Sequence, residues 1–381
     1  MDTSSTHFAL RPFDGWRIEH IGFASPRHVE LYSYDEGELW PGQFRVETLF
    51  CGLSSGTELT HFLGTNPYFA ARWDGWKKLF VDGDGHDDYP MRFSGYMQVG
   101  RVVATRFDGV REGEIVAMSY GHKGGHTVNS WEELWFSLPP ELDPVLGIYA
   151  AQMGPICANG ILHADEEAFG GAALEFGCGV RGQSVFVGGT GVVGFLTALM
   201  CQRAGAREVA IAGRNAAKLR VAEQLGLIPL DTTRGDVGDW CKTRWHDGQG
   251  TRGADVAFQC TGSDEMLSHC LRVLAPQRAV IDLGFYQGGA GQVQFGREFH
   301  HNGLKHICAQ IERVPRKLSA QWDRRRLVAQ TLEFLKSDGE AIKKHLLTHR
   351  FRFDDAQSAF DLLASGSDAL QVVLNCEAKF G

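Results

Sequence analysis

The stretch "GGTGVVG", Gly188–Gly194, directly after the apolar run "QSVFV", constrains this chain more than any other part of it. Gly189, Gly191 and Gly194 carry the G-x-G-x-x-G spacing. The spacing alone is a weak signal, but here it follows a strand-like run and opens the helical pattern "GVVGFLTALMCQRAGA", the context it needs. The first glycine allows a tight turn, the second lets backbone approach a pyrophosphate, and the third lets the helix pack on the strand. The helix start then offers free N–H groups and a positive dipole end to phosphates. Gly189, Thr190, Gly191, Val192, Val193 and Gly194 are therefore expected to hold a dinucleotide.

The surrounding texture supports a complete fold for that loop. After "SVFVGG" come the strand "EVAIAG", the helix "NAAKLRVAEQLG", the strand "GADVAFQCTG", the helix "DEMLSHCLRVLA" and the strand "RAVIDLGFY". Strand–helix alternation of this kind predicts an α/β domain with a doubly wound parallel sheet of the Rossmann type. Residues 1 to about 150 read instead as β-rich, with "QFRVETLFCGL", "GYMQVGRVVATRF" and "REGEIVAMSYG" as strand-bearing segments. Beyond about 300 lie a long helical stretch, "RRRLVAQTLEFLKSDG", a β-like "HRFRF", the helix "DDAQSAFDLLASG" and a final strand "ALQVVLNC". A length of 381 residues fits two domains.

The end of the second strand of such a sheet selects the cofactor. An acid there would accept hydrogen bonds from ribose hydroxyls. This chain reads "AIAGRNAAK", with Gly213 at the acid position and Arg214 after it. Glycine removes a repelling carboxylate, and the Arg214 guanidinium offers a planar fork to a 2′-phosphate. Asn215 stands beside it, and Lys218 adds charge from the next helical turn. The expected cofactor is NADP(H). Thr261, Gly284, Phe285 and Tyr286, after later strands, complete the expected cofactor site, the two aromatics near the nicotinamide.

Composition narrows the partners. A formal net charge of −8 argues against nucleic acid or an anionic membrane surface. No apolar run reaches a membrane span, and "MDTSSTHFALRPFDGW" lacks the basic start and apolar core of a signal peptide, so a cytoplasmic protein acting on a small molecule is expected. The nine cysteines are scattered with no CxxC, which disfavours a disulfide framework or a Cys-rich zinc lobe.

The order of β-rich domain, mid-chain dinucleotide fold and return to the first domain resembles the medium-chain dehydrogenase/reductase superfamily, the relatives of zinc alcohol dehydrogenases. The resemblance is carried by "CGLSSGTEL", "SGYMQVGRVVA", "GEIVA", "GGTGVVG", "GADVAFQCTG", "LGFY" and "HRFRFDDAQSAFDLLASGSDALQVVL". It implies a GroES-like catalytic domain from residues 1–152 and 305–381 around a Rossmann NADP-binding domain at 153–304, and a homo-oligomer, dimer or tetramer. The "SGTE" and "YP…GY…VG" elements resemble more closely the bacteriochlorophyllide-dehydrogenase-like and sugar- or cyclitol-dehydrogenase-like members.

The family's catalytic zinc rests on a Cys, a His and an acid or Cys. Here Ser54 or Ser55 stands for the first and Tyr96 for the second, while "QMGPICANG" offers no carboxylate for the third. Hydroxyls do not make a zinc site, and Cys157 alone cannot hold a metal. The expectation is therefore no metal, with Tyr96, Ser54, Ser55 and Thr57 polarising the substrate oxygen and managing its proton. The implied reaction is interconversion of a ketone and a secondary alcohol, more in the reductase direction. The alternatives are reduction of an enone or quinone C=C bond, and a non-catalytic NADP(H)-binding protein. Glu58 matches a supporting acid of the family. Ser55 and Tyr96 are 41 residues apart where the family has about twenty. The extra segment, with Trp73 and Trp76, is expected to form a lid or specificity element at the mouth of the site, and Trp73, Trp76, Glu58 and Cys157 are candidate substrate contacts.

Overall fold

The structure is a computed structural model and describes residues 16–83, 85 and 87–376. Its centre is a six-stranded, all-parallel sheet in the order Ile228–Asp231, Glu208–Gly213, Ser184–Gly188, Ala254–Gln259, Leu274–Asp282 and Lys305–Cys308. Ser184–Gly188 is buried along its whole length, as a strand covered by helices on both faces must be. The strand order reverses between Ser184–Gly188 and Ala254–Gln259. This is the switch point at whose carboxyl edge α/β sheets open a crevice. The helices Val192–Arg203 and Ala216–Gln224 follow the first two strands, each closed by a glycine at positive φ, Gly205 and Gly226.

The expected boundary after residue 304 needs correcting. Lys305–Cys308 is the sixth strand of the parallel sheet, in register with Ala279–Asp282, so the cofactor domain runs past it. The chain returns through the helix Arg324–Leu346, which packs on Met153–Phe169 and Val192–Arg203. That helix does not stop at the expected Gly339. A Cβ there would stand 2.6 Å from Leu146 Cδ1, so the glycine serves close packing against the Pro144–Tyr149 turn.

The second domain is a seven-stranded sheet. Leu347–Arg352, Gln371–Asn375, Gln43–Leu53, Gln98–Thr105, Ile115–Met118 and Trp135–Ser137 lie in that order, and Gly125–Asn129 pairs with Gln43–Leu53. The two C-terminal strands thus complete a sheet begun some three hundred residues earlier. One apolar cluster runs from Met97, Val99 and Leu138 of this domain to Phe195, Leu199 and Ile281 of the other, so the two share a continuous core.

The extra segment is a structure rather than an open loop. After the turn Pro67–Phe69 it forms a hairpin, Ala71–Asp74 paired with Leu79–Asp82. Asp74 Oδ1 accepts from the backbone N–H of Trp76 and Lys77, and Lys78 takes φ 59° to close the turn. Asp84 and His86 of this segment lie outside the described residues. Among the described residues no helix is long and apolar enough to cross a membrane.

Candidate active site

The glycine loop has the geometry its spacing predicts. Gly189 takes φ 122°, and a Cβ on it would stand 2.5 Å from Thr261 Cγ2. A Cβ on Gly194 would fall 1.9 Å from Gly189 O, so the helix can meet the loop this closely only without a side chain. Nothing lies within 4 Å of where Gly191 would carry one, which leaves a bare backbone face for a phosphate. The cradle fits a dinucleotide.

Two adjoining cavities meet at this loop and share Ser55, Gly191 and Thr261. The outer one, about 450 Å³, is lined by Gly189, Thr190, Gly213, Arg214, Asn215 and Lys218. Gly213 packs on Thr190, whose Oγ1 would be 2.5 Å from an added Cβ. Asn215 caps the following helix by accepting from Lys218 N–H at 3.0 Å. Arg214 is exposed and, among the described residues, has no ion-pair partner.

The inner cavity, about 510 Å³, brings Ser54, Ser55, Thr57 and Tyr96 of the β-rich domain against Gly191, Val192, Val193, Thr261, Gly284 and Phe285 of the other. Tyr96 Oη donates to Ser54 Oγ at 2.6 Å. Burial, reinforced by the charge of Glu58, pushes the Tyr96 phenol up to about 12.

Beneath these hydroxyls lies a chain of polar groups, of which only Glu58 was foreseen from the sequence. Glu58, 2% exposed, accepts from Ser54 N–H at 3.3 Å and from His122 Nε2 at 2.7 Å. Gln98 Oε1 accepts from Tyr120 N–H, so its amide nitrogen is the donor to His122 Nδ1 at 3.3 Å. That assigns the imidazole proton to Nε2, pointing at Glu58. Every polar atom of this buried chain is thereby partnered, as low-dielectric surroundings require.

Several expected residues sit elsewhere. Glu58 supports the cavity floor and does not line it. Cys157 is fully buried, its thiol donating to Val193 O at 3.5 Å and pushed up to about 12 by burial, so it faces no ligand. Tyr286 is drawn out of the cavity by a 2.7 Å hydrogen bond from its hydroxyl to Asp282, a buried carboxylate that also meets His306 at 2.6 Å. Gly194 packs behind the loop. Trp73 and Trp76, 42% and 88% exposed, lie on the hairpin and not at the cavity. Within that segment Tyr68 stacks on Phe285, a residue that lines the inner cavity, with ring centroids 6.3 Å apart and planes 20° apart. His163 Nε2 donates to Arg313 O, and Asn159 Nδ2 to Gln310 O and Arg313 O, so both pin the loop after the sixth strand.

Cavity residues that sequence reasoning passed over include Met153, Ile156, Leu283, Gln287 and Gln371. Around the third expected ligand position, Met153 and Ile156 reach the cavity, both apolar. Gly154 is packed so that a Cβ would stand 2.1 Å from Thr331 Cγ2. Among the described residues no three His, Cys, Asp or Glu side chains converge on one point.

Residues 192–306 match the zinc-binding dehydrogenase family. The chain is 24% identical over 315 residues to the D-guloside 3-dehydrogenase of Escherichia coli K12, covering 82% of this chain and 86% of that one. Among solved structures it resembles an alcohol dehydrogenase from Thermotoga maritima, with TM-score 0.71, 16% identity and 95% and 100% of the two chains covered. It also resembles a zinc-binding dehydrogenase from Sinorhizobium meliloti bound to NADP, with TM-score 0.69, 19% identity and 94% and 99% covered.

Proposed function

We propose that this chain, a member of the medium-chain dehydrogenase/reductase superfamily and an oxidoreductase by that membership, is an NADP(H)-dependent enzyme that interconverts a ketone and a secondary alcohol on a small cyclic polyol without zinc, working chiefly as a reductase. The observation that carries this reading is the Tyr96–Ser54 hydroxyl pair, 2.6 Å apart, in a cavity shared with the glycine loop.

Bound NADPH supplies the hydride. The chain's residues do the rest. The bare backbone at Gly191 and the start of the Val192–Arg203 helix bind the pyrophosphate, and Arg214, Asn215 and Lys218 take the 2′-phosphate. Because Tyr96 spends its proton on Ser54, the hydroxyl left to meet a substrate oxygen is that of Ser54. Ser54 donates to the oxygen as charge develops there, and Tyr96 replaces the proton from behind. Glu58 fixes the Ser54 backbone, and His122 fixes Glu58. A phenol pushed up to about 12 keeps its proton throughout the working range, so it is in the protonated form that this role needs.

Ser54, Ser55, Thr57, Tyr96, Met153 and Ile156 do not make a donor set for zinc, which takes thiolate, imidazole or carboxylate, so no step is routed through a metal. The named relative dehydrogenates a guloside at position 3, a precedent for a ring hydroxyl as the reacting group. Tyr68 and Phe285 form the rim against which such a ring would lie.

The test is reduction of a cyclic enone by NADPH under anaerobic conditions, before and after exhaustive chelation. An allylic alcohol formed at an unchanged rate is the expected result. A saturated ketone would replace carbonyl reduction by C=C reduction, and activity that falls on chelation and returns with stoichiometric zinc would overturn the metal-free mechanism.

A further inference from the structure

The outer cavity is closed by a segment of the opposite domain. Leu363, Gly366, Ser367 and Ala369, around the loop between the helix Ala356–Ala364 and the strand Gln371–Asn375, line it opposite Gly213 and Arg214. From this loop the exposed Asp368 reaches across the domain junction, and its Oδ1 accepts from Asn215 Nδ2 at 2.7 Å. The amide is oriented for this contact, because its Oδ1 is held by the helix cap at Lys218 N–H and its nitrogen end therefore faces Asp368. Asp368 is also the acid that acts on the half-buried Lys218, opposing the burial that draws that ammonium down. The cluster that would hold a 2′-phosphate, Arg214, Asn215 and Lys218, therefore already faces a carboxylate.

We propose that Asp368 is a specificity-determining residue of the cofactor site: it competes with the 2′-phosphate for Asn215 and Lys218, so NADP(H) binds only by displacing it, and the loop it sits on couples cofactor choice to the seating of the two domains. This rests on the NADP(H) reading above. Two anions cannot share the cluster at full strength, because a carboxylate and a phosphate at contact distance repel. The phosphate is the stronger competitor, with more charge and more acceptor oxygens than a single carboxylate. Asp368 thus lowers affinity for NADP(H) without abolishing it, and it leaves NAD(H), which lacks the phosphate, untouched.

The test uses the full chain and two fragments, 2′,5′-ADP and 5′-AMP, titrated by calorimetry so that no turnover is needed. Asp368→Asn keeps an acceptor for Asn215 and removes only the charge. It is expected to bind 2′,5′-ADP about three- to fivefold tighter than the wild type, the scale of one exposed charge pair, with 5′-AMP unchanged. The gain should shrink in 1 M salt, where such charges are screened. If the wild type prefers 2′,5′-ADP and Asp368→Asn binds it no tighter, the proposal is wrong while the NADP(H) reading stands. If the wild type shows no preference but the variant acquires one, Asp368 is the determinant and the wild type is an NAD(H) protein. If neither protein prefers 2′,5′-ADP, both readings fall. Far-ultraviolet circular dichroism of the variant, unchanged, excludes misfolding as the cause.

Discussion

The two cavities that meet at Gly191 are built by opposite means. The cofactor side is made of backbone. Gly189, Gly194 and Gly284 are where they are because a Cβ would strike a carbonyl oxygen or methyl group of a neighbouring loop, 1.9 Å away for both Gly194 and Gly284. The hydroxyl side, the proposed catalytic one, is held by side chains: Tyr96 on the Ser54 hydroxyl, Glu58 on the Ser54 backbone N–H, His122 on Glu58 and Gln98 on His122. A backbone cradle tolerates almost no change at its glycines and is indifferent to most residues around it. A side-chain chain tolerates change anywhere that geometry survives and fails where a proton has no path.

The largest expected effect therefore falls on the catalytic side. Tyr96→Phe should lower kcat for ketone reduction by roughly 10²-fold or more, while NADPH affinity stays put. On the proposed relay, Ser54→Ala should cost about as much, and the double variant little more. Steady-state kinetics with a fluorescence titration of NADPH would show it. A drop under about threefold would make Tyr96 a packing residue. Since the phenol is pushed up to about 12, Tyr96 should contribute no fall in rate between pH 6 and 10. An alkaline limb that vanishes in Tyr96→Phe would contradict that.

Gly194→Ala probes the other construction. Its methyl group would overlap Gly189 O, and an overpacked site of this kind costs about 1–3 kcal/mol, which, taken up in the cofactor cradle, is roughly 5- to 150-fold in cofactor affinity. The cost should appear in the dissociation constants of NADPH and NADH alike. Gly191→Ala meets no protein atom, so any loss there belongs to the ligand's own approach.

This contrast also explains what could be read from the chain. The parallel sheet, the glycine loop and the position of Arg214 were legible because their constraints act within a few residues, through period, turn and steric fit. The pairing of Ser54 with Tyr96 was half legible, as a shared site without its hydrogen bond. The partners that organise it were not, because they are remote: His122 is 64 positions from Glu58, Gln371 is 318 from the Leu53 carbonyl it holds, and Asp368 is 153 from Asn215. No local pattern marks such residues. The extra segment misled for another reason. Its tryptophans are its most visible residues, yet a two-stranded hairpin leaves both faces in water and turns Trp76 outward at its tip, whereas the less conspicuous Tyr68 sits at the root.

A smaller effect is expected at the phosphate cluster. Arg214→Ala should weaken NADPH about tenfold and NADH hardly at all, the loss of one charged fork from an exposed site. Equal effects on both would remove the NADP(H) preference.

The smallest effect sits where the two constructions touch. Tyr68 belongs to the β-rich domain and Phe285, which lines the inner cavity, to the loop after the Leu274–Asp282 strand, and their rings stack across the two. The base of Tyr68 is fixed independently of that contact. Asn66 Oδ1 accepts from its backbone N–H, Asn66 Nδ2 bonds Thr60 Oγ1 on the helix Thr57–Leu63, and the Asp87–His61 pair at 2.8 Å ties the end of the segment to that helix. Tyr68→Ala should therefore leave the fold intact and raise KM for a ring substrate severalfold with kcat altered less. A double-mutant cycle with Phe285→Ala should return a coupling of about 0.5–1.5 kcal/mol, the range of an aromatic pair. A coupling near zero in KM would mean that the rings meet each other but not the substrate. The rim would then belong to the fold, and deleting residues 70–82 should leave catalysis as it was.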